Sequence, residues 1–559
     1  MDTQQRRLLF AFVLMAAILG ASQWWYSRNA PPSGRDTPAD TTAPAPTTDV
    51  VARDTARGPS ADRAPLETSA AADTSRVSQD TLLGGPAPRG VAITTPLYSA
   101  VVDPRGGVIT DIGLVRYRSF TDSGPVALVP PSSAFLERAA DLGENRLAIG
   151  ELVFAPSDSV IRLSAGDSAR TLELRWEGGG RRVIQRYRFD PSNYVIDYRF
   201  DLGEPVDGVL HTRIGPRLHS NEKDPPQDYE SMRAVARVDG EIIARSAEDA
   251  GEGRLAYGGE IEWVGLRNKY FLALLLEAEE GPPLTAVTFE GRASDSLPVL
   301  DVTAAVPIRR GAAAYRVYAG PQEFQRLRAL DHGLDEVNQY GWSWIRWMIT
   351  PFAKLIVVIM LWLHRWIPSY GLVLIVFGVI VRLVMWPLTT KSFRSIQEMQ
   401  KLQPEIQRLR ETYKSDPQRM QQETMRLYRE RKVNPLGGCL PNLIPMPILF
   451  ALFFVFQSTI EFRGQPFLWL PDLSQPDPMY ILPILMGLTM VVSSKLTMTD
   501  PRMAAMTYVM PIVLTFVFLN LAAGLVLYYT ISNVLTFVQQ WWLRRGAPIP
   551  GVRKATGAT

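Results

Sequence analysis

The chain has 559 residues, 46% of them apolar and 21% charged, which is long enough for more than one domain. A formal net charge of +3 is too small to mark nucleic acid as the partner of the whole chain, and a single cysteine, Cys439, excludes an internal disulfide and any Cys-rich metal site. With four histidines, no H-E-x-x-H pair and no phosphate-binding glycine loop, neither a cofactor nor enzyme activity is expected.

Arg6 and Arg7 precede an apolar run that begins at Leu8 and closes on Trp24-Trp25-Tyr26. The small residues of Leu19-Gly20-Ala21 would suit a cleaved signal peptide. The 19 residues from Leu8 to Tyr26 are long enough to span, however, and their aromatic end favours an uncleaved anchor (1–28) with its N-terminus in the cytoplasm. Residues 29–89 are Pro, Ala, Thr, Ser and Asp with almost no aromatic side chain, so they cannot bury enough surface to offset ordering and form a disordered tether.

From 90 to about 325 the pattern has period two. Leu172, Leu174 and Trp176 alternate with Thr171, Glu173 and Arg175, and Tyr194, Ile196, Tyr198 and Phe200 with Val195, Asp197 and Arg199. Turn signals such as Asp190-Pro191-Ser192-Asn193 separate the runs, so an all-β domain of short antiparallel strands packed as a sandwich is expected beyond the first span. Residues 326–367 form a linker and an amphipathic helix. Trp342, Trp344 and Trp347 mark an interfacial belt, and Phe352 to Leu363 is strongly apolar.

A single charge inside an apolar run distinguishes the next segment. Gly371 to Leu388 is 18 residues, about 27 Å of helix and close to the hydrocarbon thickness of a bilayer, yet it contains Arg382. A guanidinium at mid-membrane depth costs roughly 2.5 to 3.5 kcal/mol on insertion scales, which makes it a functional candidate. Its long side chain could equally snorkel to the nearer interface.

Between Lys391 and Leu436 lie eleven basic and six acidic residues, which places this loop in the cytoplasm. Its pattern, with Ile396, Met399, Leu402, Ile406 and Leu409 before the break at Ser415-Asp416-Pro417 and Met420, Met425 and Leu427 after it, predicts a hairpin of two helices (391–436). The apolar residues suit packing of the helices on each other, and exposed methionines suit docking of apolar clients. Further spans are expected at about 443–459, 480–494, 506–520 and 525–542, giving six crossings with the anchor, both termini inside, and a tail at 546–559. One crossing suffices between the outer domain and the basic loop, so Trp344 to Ile367 is placed along the outer interface.

Gln457, Ser458, Thr459, Tyr528, Tyr529, Ser532 and Asn533 fall inside these spans. Single Ser and Thr residues are accounted for by interhelical hydrogen bonds, whereas Tyr529, Ser532 and Asn533 align on one face at spacings of three and four. No span offers a carboxylate to pair with Arg382, which argues against a proton or sodium relay. A transporter would show inverted repeats and broken helices, and none is visible. An enzyme such as a sugar epimerase on the β domain would need an acid and a base, for which His211 and His219 are the nearby histidines.

Arg382 with Pro387-Leu388-Thr389, then Val433 to Cys439, Met446-Pro447-Ile448, Tyr480 to Gly487, and Gly524 to Tyr529 with Ser532-Asn533 closely resemble the bacterial YidC family of membrane-protein insertases. The likeness is collinear from about Tyr340 to Trp542, and the anchor, tether and β domain resemble the Gram-negative form. It implies a five-span insertase core (368–545), a periplasmic β-supersandwich (90–325), an inner-membrane multi-pass location, and a hydrophilic groove made by Arg382, Gln457, Tyr528, Tyr529, Ser532 and Asn533. Nascent membrane proteins, the Sec translocon, the ribosome and the bilayer are the implied partners, with no small-molecule substrate. The hairpin residues Lys391, Arg394, Met399, Lys401, Arg408, Arg410, Met420, Met425 and Arg426 would receive clients and the ribosome. Clients would then leave along the apolar faces of the third and last spans. The chain departs from the family pattern in two places. Gly378 stands where relatives often carry a threonine facing a tyrosine of the last span, and Pro445 stands where Gln-Met-Pro is common.

Overall fold

A computed structural model describes residues 90–544, except 132, 252, 280, 293–296, 343, 415, 432, 434–445 and 498–503. The expected anchor and tether, the stretch Asn434 to Cys439, Pro445 and the tail at 546–559 lie outside those residues.

Alternation builds the β-rich part. In Val195–Asp201, Ile196, Tyr198 and Phe200 are buried while Arg199 is exposed, so one face leaves water and the other keeps it. The strands form a 14-stranded sheet and a five-stranded one, the latter in the order Pro125–Ala127, Val108–Arg118, Tyr98–Asp103, Val91–Thr94, Val160–Arg162. The expectation of short strands needs correction at Leu255–Arg267, which runs for 13 residues. A register shift between Gly258 and Ile261 lets its first half pair with Leu284–Arg292, while its second half pairs with Phe271–Glu277.

The rest is helical: α1 (Arg346–His364), α2 (Tyr370–Lys401), α3 (Gln403–Thr412), α4 (Pro417–Glu430), α5 (Met446–Ser458), α6 (Ile481–Thr497), α7 (Ala504–Phe518) and α8 (Ala523–Arg544). α1 buries Ile349, Ala353, Ile356, Val357, Met360 and Leu363, a stripe at helical spacing, and packs on α5. Its other face exposes Trp347, Leu355, Val358 and Trp362. Near its middle, Lys354 is held by Asp335 at 3.2 Å and Glu336 at 2.9 Å.

α2 corrects the expected hairpin. It continues as one helix of 32 residues past Pro387 to Lys401, so the first part of the basic segment extends the Arg382 helix. The break comes at Leu402, because Pro404 in the first turn of α3 has no N–H to give to the preceding turn. α3 and α4 then form the polar pair, tied by Arg431 to Glu405 at 2.8 Å, and Asp416 caps α4 by accepting from the Arg419 N–H at 3.0 Å.

The β domain and the helices meet through the segment after α5. Ile460 packs into the β-domain core, while Phe324, from the other side of the junction, packs among the helices. Arg463 reaches into the β domain to Glu222 at 2.7 Å, with both side chains nearly inaccessible (3% and 6%). Glu461 accepts a hydrogen bond from the Phe324 N–H at 3.1 Å, and its other oxygen is buried without a partner. Burial, reinforced by Glu323, pushes the Glu461 carboxyl up to about 7.

This shift has a sign that can be measured. A folded-state value above that of the unfolded chain means the native junction holds the proton, so stability from Glu461 is complete below the usual carboxylate range and is lost as pH rises through about 7. The full span amounts to about 3 kcal/mol. Glu461→Gln keeps the acceptor and cannot ionise, so the melting temperature of the variant is expected to fall less than that of the parent between about pH 5 and pH 8. Equal slopes in thermal scans across that range would remove Glu461 as the titrating group.

Candidate functional site

The helices around the candidate residues are strongly apolar. α6 exposes Ile484, Leu485, Leu488 and Val492, and α7 exposes Val509, Ile512 and Phe516, stripes far larger than a soluble surface carries. α5, α6, α7 and α8 contain no Asp or Glu. Arg382 on α2 is therefore set in a frame without an opposite charge.

α2 and α8 run in the same direction, since Phe377 meets Tyr528 and, further along both helices, Trp386 meets Trp542, with ring centroids 6.1 Å apart in each case. At Gly378 the two helices pass closely: a β-carbon there would stand 3.6 Å from the Tyr528 ring and from Ile531. Below this contact Arg382 is half-buried, and its Nη2 donates to Gln539 Oε1 at 2.5 Å. Gln539 is fully buried. Its Nε2 lies 3.0 Å from Thr389 Oγ1, 3.1 Å from Thr390 Oγ1 and 3.3 Å from the Trp386 carbonyl, acceptors that share its two hydrogens, and its Oε1 lies 3.2 Å from the Thr389 hydroxyl. The carboxamide is thereby fixed with its oxygen toward the guanidinium. Arg382 Nε is buried without a hydrogen-bond partner, and among the described residues Arg382 forms no ion pair.

This arrangement revises the expected groove. Tyr528, not Tyr529, is the tyrosine against α2; Tyr529 turns to α7, where its ring meets Phe518 at 4.9 Å. The two are neighbours in sequence and so point about 100° apart on a helix, and spacing alone does not say which neighbour either faces. Ser532 and Asn533 are half-buried one turn further along α8. Gln457 is not beside Arg382. It sits at the far end of α5 under the β domain, lining cavities of about 170 and 120 Å³ with Gln227 and Lys269. The middle of α5, Ala451 to Phe456, is buried throughout, so it offers no open apolar face; on the two helices joined by Arg382 and Gln539, exposed apolar side chains include Leu383 and Val384 on α2 and Val534 and Val538 on α8.

Sequence reasoning missed Gln539. The signal was present, since Ser532, Thr536 and Gln539 continue the polar face at spacings of four and three.

In the basic segment Lys391, Arg394, Lys401, Arg408 and Arg426 are exposed, and Met399, Arg410 and Met420 are half-buried. Met425 is 42% exposed. Lys401 pairs with Glu398, and Arg426 with Glu430, within their own helices. His211 and His219 lie apart, beside Asp141 at 3.0 Å and Asp122 at 3.7 Å.

Two family models match the chain: the YidC periplasmic domain over residues 90–355 and the 60Kd inner membrane protein over residues 362–549. The membrane protein insertase YidC of Oleidesulfovibrio alaskensis is 35% identical over 476 residues, covering 82% of this chain and 86% of that one. That of Syntrophus aciditrophicus is 30% identical over 562 residues, covering 97% of this chain and 100% of the relative. That of Geobacter metallireducens is 32% identical over 477 residues, covering 81% and 85%.

Proposed function

The chain belongs to the YidC family of inner-membrane protein insertases, and from that premise we propose that Arg382, oriented by Gln539, receives the polar outer segment of a client at the seam between α2 and α8. The observation that carries this reading is the neutral partner. A guanidinium locked to a carboxylate would have its charge spent, whereas one steadied by a carboxamide keeps it for a visiting acidic side chain. Tyr528 and the Ser532–Asn533 turn extend the polar side of the seam. A client's outer segment enters from the cytoplasmic end, is held part-way by charge, and its apolar segment moves into lipid past Leu383, Val384, Val534 and Val538. No step consumes an energy-rich cofactor, because burial of the apolar segment drives the transfer.

The topology of this reading has six crossings, with α2, α5, α6, α7 and α8 as the core and both termini in the cytoplasm. α1 is long and apolar enough to span, yet Lys354 at its middle is ion-paired to the connector beneath the β domain, which supports a place along the outer interface. The extension of α2 with α3 and α4 lies in the cytoplasm. Its exposed cations suit the RNA of a translating ribosome, and the Sec translocon is a second source of clients on the strength of the family resemblance.

Nascent-chain crosslinking tests the seam. With a photoreactive residue at 383 or 533, a stalled single-span client is expected to crosslink at both positions and far more weakly at 516 on α7. Equal crosslinking at all three, or at 516 alone, would move the path elsewhere.

A further inference from the structure

The base of the β domain carries a cluster of cations that the insertion seam does not use. Arg233 and Arg267 are direct partners on adjacent antiparallel strands, where like charges destabilise the pair. Both line the cavity of about 120 Å³ that closes on Gln457 and Ser458 at the end of α5, and Lys269 lines the same wall. Arg267 finds little compensation. Its Nη1 reaches Asn338 Oδ1 only at 3.5 Å, its Nε is buried without a partner, and among the described residues it forms no ion pair. Arg346 of α1 adds a third guanidinium near enough to repel it, and burial together with Arg233 and Arg346 brings Arg267 down to about 10. The acidic groups in the region serve other cations: Asp228 and Glu222 lie toward Lys269, and Asp249 toward Arg233. Arg233 is steadied by donating to the Glu230 and Met232 carbonyls at 2.6 and 2.7 Å, which leaves half-buried Arg267, its Nε enclosed without a partner beside a second guanidinium, with the chemistry of an anion site.

The surroundings narrow the anion. Phe454 forms part of the cavity wall and packs against Trp342, whose ring stacks on that of Trp344 at 6.2 Å. Trp344 is 70% exposed, so an apolar aromatic rim borders a cationic pocket at the outer end of a span. We propose that this pocket binds the phosphodiester of an outer-leaflet phospholipid headgroup, with Arg267 and Arg233 on its oxygens and the acyl chains along the tryptophan rim. A bound lipid would then bridge the β domain and α5 in addition to the direct protein contacts.

Thermal unfolding of the full-length detergent-solubilised protein tests this, with dihexanoyl phosphatidylglycerol as the lipid probe and inorganic phosphate as the free anion. The lipid is expected to raise the melting temperature by several degrees, phosphate at equal concentration by much less, and the lipid effect is expected to vanish in Arg267→Gln. Without lipid, Arg267→Gln is expected to melt no lower than the parent, because the cross-strand repulsion is gone; a fall of several degrees would mark Arg267 as a structural strut and overturn the proposal. So would a lipid shift that survives in the variant, no lipid shift in the parent, or a phosphate shift as large as that of the lipid, which would assign the pocket to free anions. Arg233→Gln, which relieves the same cross-strand repulsion, is likewise expected to lose the lipid shift, and a full lipid shift in that variant would take Arg233 out of the site.

Discussion

Arg382→Ala is expected to reduce insertion of clients with acidic outer segments by about ten- to a hundred-fold, the worth of one hydrogen bond to a charged group in a poorly solvated place. Clients whose outer segment is uncharged should lose far less, and that contrast separates a charge-receiving role from general damage. The fold should survive. Gln539 retains its bonds to Thr389, Thr390 and the Trp386 carbonyl when the guanidinium is removed, and no described carboxylate is left unpaired. Gln539→Leu leaves the charge but frees its position, so its loss should be intermediate and Arg382→Lys should resemble it. Protease protection of clients inserted into vesicles measures all three variants. Full insertion of acidic clients by Arg382→Ala would take the arginine out of the mechanism.

The sequence was most informative where one residue type carried one physical cost. An arginine inside an eighteen-residue apolar run, and a proline after an aspartate in a charged loop, single out a candidate residue and a cap without knowledge of neighbours. Alternation told which face of Val195–Asp201 is buried, because pleating makes that local. The bulge that lets Leu255–Arg267 serve different partners with its two halves depends on strands far apart in sequence, and period two cannot express it. The same limit explains the tyrosines. Helical spacing groups residues into faces, while which of Tyr528 and Tyr529 lies against α2 depends on how α8 packs there, with the Tyr528 ring beside Phe377 and Gly378. The Pro404 break was hidden by apolar residues that keep a helical rhythm across it.

Breaking the Arg463 pair should strongly destabilise the junction between the β domain and the helices. Arg463 comes from the loop after α5, yet its guanidinium is inside the β domain: Nε to Glu222 at 2.7 Å, Nη1 to the Arg118 carbonyl at 3.0 Å, Nη2 to the Asn221 carbonyl at 3.3 Å, with the Phe120 ring 4.3 Å away. Taking two charges out of water costs several kcal/mol, and their mutual attraction with these further bonds is the main offset. Arg463→Ala leaves the enclosed Glu222 carboxyl without this partner, so a cost of about 3 to 5 kcal/mol is expected, read as a lower melting temperature and as early proteolysis at the junction. Arg463→Met with Glu222→Leu removes both charges and fills similar space, so the double variant should recover most of that loss. Such a recovery would give the pair a specific consequence: it sets which β-domain surface faces the helices more than it holds them there. If the double variant is instead as unstable as Arg463→Ala, the carbonyl and aromatic contacts of Arg463 carry the junction, and the ion pair is incidental to them.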